Sequence, residues 1–124
     1  MLEYVSPSTL TDQQLDLLTE SWCVGGGTEL EVAEHVVSGR WHVFAVKNGI
    51  LAVSVRGQVM TVEALNVSNF GWFMRQFRDV MDRLASYYGC NTVETMCFDE
   101  RLAAAMLRIK GKHAATLVRW DVEG

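Results

Sequence analysis

The distribution of hydrophobic residues predicts β-strands in the middle of the chain. The segment Trp41–Arg56 is rich in β-branched and aromatic residues and is interrupted at Asn48 and Gly49. This dipeptide is a strong signal for a two-residue hairpin turn, because both residues tolerate positive φ. The next segment, Val59–Val67, is apolar on both faces over most of its length, as expected of a central strand. The pattern predicts an antiparallel meander whose first turn is centred on Asn48 and Gly49.

A period of three to four residues then predicts a long amphipathic helix. Its apolar face contains Phe70, Phe73, Met74, Phe77, Val80, Met81, Leu84 and Tyr88. A strand at Thr92–Cys97, a short helix from Asp99 and a final strand at Ala114–Val122 follow. Because short loops join strand, helix and strand, we expect Thr92–Cys97 to pair in parallel with Val59–Val67.

Two further helices are predicted at the start of the chain, where two capping boxes precede periodic apolar residues. Thr11 pairs with Gln14 in the first box and Thr28 with Glu31 in the second. The glycines at 25–27 separate the two helices. The predicted fold class is α/β (α+β), with three layers, a central mixed sheet and helices on both faces, in a single domain over residues 1–124.

Composition agrees with a globular domain and excludes several classes of protein. The chain has 124 residues and is 49% hydrophobic, which is enough for one core. No apolar run approaches the roughly 18 residues of a membrane span, and the first residues lack a signal-peptide pattern, so a cytoplasmic protein is expected. The three cysteines and three histidines show no metal-ligand spacing, so no metal is predicted. Nucleotide-phosphate and nucleophilic-serine motifs are absent from the sequence.

Charge is distributed unevenly along the chain. Residues 1–39 contain seven of the 15 acids and no Lys or Arg; the remaining eight acids and all 11 bases give residues 40–124 a charge of +3. Either the two parts dock through complementary surfaces, or an acidic wall faces a cationic ligand and a basic wall an anionic one. The net charge of −4, without a dense basic stripe, argues against nucleic acid as a partner.

One acid, Glu63, interrupts the apolar central strand and is the candidate catalytic residue. An unpaired carboxylate is costly in such a place, so it has either a chemical role or a partner. The partner could be an arginine such as Arg56 or Arg119, and the sequence leaves both interpretations open. His42 could relay a proton or simply be a satisfied residue on the sheet.

The order of elements over roughly residues 10–122 resembles the GNAT superfamily of acyl-CoA-dependent N-acyltransferases. Tyr88–Val93 is similar to the family's junction of helix, glycine, cysteine and strand, and Arg101–Gly111 to its C-terminal helix ending in glycine. The small size is most similar to the compact, divergent members from tailed phages. The resemblance implies that acetyl-CoA lies between the fourth and fifth strands, with its pyrophosphate on backbone amides at the start of the long helix.

On this chain the resemblance implies cofactor contacts at Leu65, Asn66, Val67, Ser68, Asn69, Phe70 and Gly71, and a base at Glu63 on the same strand. Of the family's Gln/Arg-x-x-Gly-x-Gly/Ala pattern, only Gly71 matches; Ser68 and Phe73 depart from it. The position of the family's usual acid, a tyrosine, is occupied by Leu107.

Two functions therefore follow from the resemblance. The first is acetyl-CoA-dependent transfer to an amine or a basic peptide, which Glu63 and the charge asymmetry favour. The second is a non-catalytic GNAT-fold binding or structural module, such as a phage accessory or virion protein, acting through a protein partner or as a homodimer. The incomplete loop pattern and Leu107 favour the second.

Overall fold

The computed structural model describes residues 2–21, 28–68, 70–96, 112–114 and 117–122. Their helices and strands are β1 (Glu3–Val5), a 3-10 turn (Pro7–Thr9), α1 (Asp12–Glu20), α2 (Glu29–Val37), β2 (His42–Val46), β3 (Gly49–Arg56), β4 (Val59–Val67), α3 (Phe70–Tyr87), β5 (Thr92–Met96), β6 (Lys112–Ala114) and β7 (Leu117–Asp121). These strands form a mixed sheet in the order β1-β2-β3-β4-β5-β7-β6. The predicted meander, long helix and mixed sheet are confirmed, and the predicted helix from Asp99 lies outside the described residues.

Two short strands were not predicted from the sequence. β1 pairs antiparallel with β2 at the edge of the sheet. The final strand predicted at Ala114–Val122 is confirmed over β7, but Ala114 belongs to the separate strand β6, which pairs antiparallel with β7 and places Ala114 opposite Leu117. Three-residue strands such as β1 and β6 are too short to show a period of two, so the pattern of the sequence does not reveal them.

The chain packs as two compact units, one of residues 1–54 and 62–68, the other of residues 55–61 and 69–124. In the first unit, helices α1 and α2 cover one face of the strands. Its core contains Val5, Leu18, Val32, Val36, Trp41, Val43, Ile50, Ala52 and Ala64. The capping box of α1 forms as predicted, with Thr11 and Gln14 exchanging bonds of 2.9 and 3.1 Å. The second box forms in part, because Thr28 Oγ1 caps the Glu31 amide but donates its own proton to the Glu31 side chain.

The first hairpin turn lies one residue earlier than predicted. Val46 pairs with Gly49, so Lys47 and Asn48 form the turn. Asn48 has a φ of 59°, whereas Gly49 lies in β3 outside the positive-φ region. A Cβ at Gly49 would meet the Asn66 carbonyl oxygen and would lie 2.8 Å from Val67 Cα. The glycine is therefore required by the close approach of β4 and not by turn geometry.

In the second unit, α3 packs through the face that its period predicts. Phe77, Met81 and Leu84 are buried, as predicted, while the side chain of Phe73 lies outside the described residues. The helix is followed by Gly89 at a φ of 73°, a conformation that suits the glycine after a helix C-terminus.

The first residues of β4 run parallel to β5, as predicted. The Asn91 amide donates to the Gln58 carbonyl at 2.9 Å, and Thr61 Oγ1 donates to Glu94 Oε1 at 3.1 Å. The partner numbers rise together along the two strands, which defines parallel pairing. Within the described ranges, no helix combines the length and apolar character needed to cross a membrane.

We expect Gly49→Ala to lower the free energy of unfolding by about 1–3 kcal/mol, because the added methyl group overlaps the backbone of β4. Chemical denaturation measures the loss. Gly57→Asn is the matched control: Gly57 has a φ of 60° and open space around it, and asparagine tolerates that conformation. Equal losses in the two variants would contradict the steric explanation.

Candidate functional site

Glu63 is half-buried on β4 and accepts a hydrogen bond from a serine on the neighbouring strand. Ser54 Oγ, also half-buried, donates to Glu63 Oε2 at 2.9 Å. The sequence left open whether Glu63 has an arginine partner or a chemical role. The partner found in the structure is a neutral hydroxyl, that of Ser54. Arg56 is exposed, and the Arg119 side chain lies outside the described residues.

The Ser54–Glu63 bond fits a regular hairpin between β3 and β4. Only Gly57 and Gln58 separate the two strands, so a regular ladder from that turn places Ser54 opposite Thr61. Glu63 lies two residues beyond Thr61 and therefore shares its face of the sheet with Ser54.

The exposure of the side chains alternates along β4 up to Ala64. Met60, Val62 and Ala64 are buried, and Ala64 belongs to the core that also contains Ile50 and Ala52. Glu63 is half-buried and lies between two buried residues of this strand.

His42 lies on the opposite face from Glu63. It pairs with Val53, whose side chain shares its face, whereas Ser54 points the other way. His42 therefore does not relay a proton to Glu63. Burial lowers the pKa of the His42 imidazole below its ordinary value of 6.5, so the ring is neutral at neutral pH.

The segment predicted to hold the cofactor is described in part. Leu65, Asn66 and Val67 are half-buried at the end of β4, and Ser68 is exposed. Ser68 is held within the protein, because its amide and its Oγ both donate to the Asn48 carbonyl, at 3.0 and 3.2 Å. The Ser68 amide is therefore not available to bind an anion, so any anion at this loop would have to bind to other amides.

The backbone of Phe70 and Gly71 opens α3, and Asn69 lies outside the described residues. The first turn of α3 contains no acid. A helix N-terminus without a carboxylate is compatible with a bound anion, because the unpaired amides and the helix dipole favour negative charge.

The acidic residues of α1 and α2 lie on the surface. Asp12, Asp16, Glu20, Glu29 and Glu31 are all exposed. The pKa of the Glu29 carboxyl is raised because its protonated form donates a hydrogen bond to Asp16 and because the negative charge of Asp16 disfavours ionisation. The surface of α1 and α2 therefore carries several exposed carboxyl groups close together.

Within the described part of the chain, no three His, Cys, Asp or Glu residues are placed to hold a metal ion. Cys90 is a buried free thiol, and burial raises its pKa, which makes it a poor nucleophile. Cys23 and Cys97 lie outside the described residues.

Ser54 is the site residue that sequence reasoning missed. Its only signal is a hydroxyl in the apolar run of β3, across a two-residue turn from the strand that carries Glu63. That signal does not identify the bond, because in such a hairpin Thr61, opposite Ser54, and Glu63, diagonal to it, are both within reach of the hydroxyl.

Comparison with known proteins identifies the fold. No protein-family model matches the chain, and no curated protein matches it. Among solved structures, aminoglycoside 6′-acetyltransferase type Ii has a TM-score of 0.74 at 13% identity, covering 100% of this chain and 98% of that one. A Bacillus subtilis acetyltransferase in complex with CoA has a TM-score of 0.70 at 13% identity, covering 99% and 97%.

A Desulfovibrio desulfuricans protein described as an acetyltransferase of the GNAT family also matches, with a TM-score of 0.64 at 11% identity and 99% of both chains covered. The chain therefore has the fold of the GNAT acetyltransferases, which confirms the resemblance read from the order of its elements. Fold by itself does not assign an activity, since one fold hosts many functions.

Stability should fall on acidification partly because of His42. Burial lowers the pKa of the folded-state imidazole, so below about pH 6.5 the unfolded chain binds a proton that the folded chain resists. The free energy of unfolding therefore decreases as pH falls through this window. We expect His42→Gln to reduce that decrease in urea titrations between pH 7.5 and 5, since the carboxylates titrate alike in both proteins. Parallel curves for the two proteins would contradict the prediction.

Proposed function

We propose that this protein is an acetyl-CoA-dependent N-acetyltransferase in which Glu63 is the general base. The observation that carries the proposal is a half-buried carboxylate on β4, bonded to a neutral hydroxyl, in a chain with the GNAT fold. A cation paired with the carboxylate would neutralise its charge and weaken it as a proton acceptor. A serine hydroxyl is neutral, so the carboxylate keeps its negative charge and can still accept a proton.

Acetyl-CoA would be held by the end of β4 and the start of α3. The proposed contacts are Leu65, Asn66, Val67, Ser68, Asn69, Phe70 and Gly71. Since the Ser68 amide is engaged with Asn48, the proposed anion donors are the amides that follow it. The acid-free first turn of α3 fits a pyrophosphate.

Acetyl-CoA supplies an acyl group activated as a thioester. Glu63 takes a proton from the ammonium form of the acceptor, which frees the nitrogen lone pair for attack on the carbonyl carbon. A C–N bond forms and the C–S bond breaks; the second proton lost by the nitrogen leaves with the thiol. Alignment of amine and thioester supplies much of the rate, so a separate acid at Leu107 is not required.

The proposed acceptor is an amine or a basic peptide. The exposed carboxylates of α1 and α2 would attract a cation, and the raised pKa of Glu29, which follows from its hydrogen bond to Asp16 and from the charge of Asp16, supports this. This charge also raises the local concentration of a cationic acceptor at low ionic strength.

One observation favours the alternative, a non-catalytic GNAT-fold module such as a phage accessory or virion protein. The engaged Ser68 amide, with only Gly71 matching the family's loop pattern, reduces the donors available to pyrophosphate. Binding of coenzyme A separates the two proposals.

We expect acetyl-CoA to stabilise the folded protein. At a ligand concentration about a hundred times Kd, binding adds roughly 2.7 kcal/mol, which raises the Tm of a domain of this size by about 8 °C or more. Differential scanning fluorimetry measures the shift. Desulfo-CoA should act nearly as well, because it retains the pyrophosphate and pantetheine, and inorganic phosphate should have little effect. No shift at millimolar acetyl-CoA would favour the non-catalytic module.

We expect Glu63→Gln to abolish most of the transfer while preserving the fold. Loss of a general base lowers kcat by about a hundredfold or more. The free energy of unfolding should change by about 1 kcal/mol or less, since the glutamine oxygen can still accept the Ser54 hydrogen bond. A coupled assay of thiol release on a panel of amines measures kcat. Unchanged turnover in a folded variant would exclude Glu63 as the base.

A further inference from the structure

We propose that Ser54 is the positioning residue of this site: its hydroxyl holds Oε2 of Glu63 so that Oε1 faces the acceptor amine. This inference rests on the proposed function. Ser54 and Glu63 lie in the same compact unit, and their bond of 2.9 Å is within the range of strong O–H···O interactions.

The bond divides the carboxylate into a held oxygen and a working oxygen. An ionised carboxylate only accepts hydrogen bonds, and each of its oxygens has two lone pairs. Ser54 is the hydrogen-bond partner that the structure gives Glu63 among the side chains it describes, and it engages Oε2. Oε1 is therefore the atom through which Glu63 takes the proton from the amine.

A hydroxyl is suited to this task because it orients without neutralising. An arginine in the same place would form an ion pair and bind both oxygens, which competes with proton transfer. Serine donates one proton to one oxygen and leaves the net charge of the carboxylate unchanged. A glutamate side chain has three rotatable bonds, and the bond to Ser54 removes the freedom of the last two.

Ser54 is itself well placed to be a fixed reference. β3 pairs with β2 in continuous register from Gly49 to Val53, directly before Ser54. Ile50, Ala52 and Val53 are fully buried, so the strand that carries the hydroxyl is anchored by the core. Sites built on strands hold their geometry better than sites built on loops. The Glu63 carboxylate reaches this hydroxyl from the adjoining β4.

Steady-state kinetics of the full chain test the assignment. Ser54→Ala should lower kcat roughly tenfold with the KM for acetyl-CoA and for the amine unchanged, because alignment is lost and binding is not. Ser54→Thr, which keeps the hydroxyl, should retain kcat within about twofold of the wild-type value. If Ser54 had only a structural role, Ser54→Ala would not lower kcat selectively, and Ser54→Thr would not restore it.

Thr61→Val is the matched control, because Thr61 Oγ1 also donates to a glutamate on a neighbouring strand, at 3.1 Å. This variant removes an equivalent bond without touching Glu63, and it should leave kcat unchanged. An equal loss of kcat in Thr61→Val and Ser54→Ala would overturn the assignment, since any weakened strand contact would then suffice.

The double variant Ser54→Ala/Glu63→Gln decides whether the two residues act as a unit. If Ser54 works through Glu63, the double variant should be no slower than Glu63→Gln alone. Multiplicative losses would overturn the assignment, as would a Ser54→Ala variant with wild-type kcat. A wild-type protein that binds acetyl-CoA yet transfers nothing would overturn the proposed function first, and the role of Ser54 with it.

Discussion

Strand β4 depends on one constraint: successive side chains of a strand point to opposite faces, yet this strand has to hold a carboxylate among apolar residues. Met60, Val62 and Ala64 are fully buried, and Glu63 lies between two of them. The alternation itself resolves this conflict, since Val62 and Ala64 are buried while Glu63, between them, reaches the hydroxyl of Ser54. The carboxylate is therefore half-buried and hydrogen-bonded at the same time.

The parts of the fold that were predictable from the sequence are those with a long, regular pattern. Helix α3 repeats its apolar face over five turns, and burial of Phe77, Met81 and Leu84 follows from that period alone. The turn between β2 and β3 lies one residue earlier than predicted. Gly49 is required by its close contact with β4, and such a contact between distant residues cannot be read from the local sequence. β6 was missed since three residues cannot display a period.

The candidate site shows the same division between local and long-range information. Glu63 was identifiable because a charge stands out in an apolar strand, whatever its neighbours are. Its partner was not identifiable, since the sequence does not show which of the polar side chains near Glu63 in the folded sheet donates the hydrogen bond. The engagement of the Ser68 amide by Asn48 is likewise a contact between residues twenty positions apart. Register and backbone pairing across a hairpin are properties of the folded chain.

The acidic surface bears on which acceptor such a site would select. The pKa of Glu29 rises first because its protonated carboxyl hydrogen-bonds to Asp16, and second because the negative charge of Asp16 disfavours ionisation of Glu29. A cation that docks on this surface removes part of that repulsion in addition to forming its own contacts. A neutral or anionic molecule of the same shape gains nothing from it. Electrostatics therefore favours an acceptor that arrives protonated, and a protonated amine is the form that needs a base such as Glu63 before it can react.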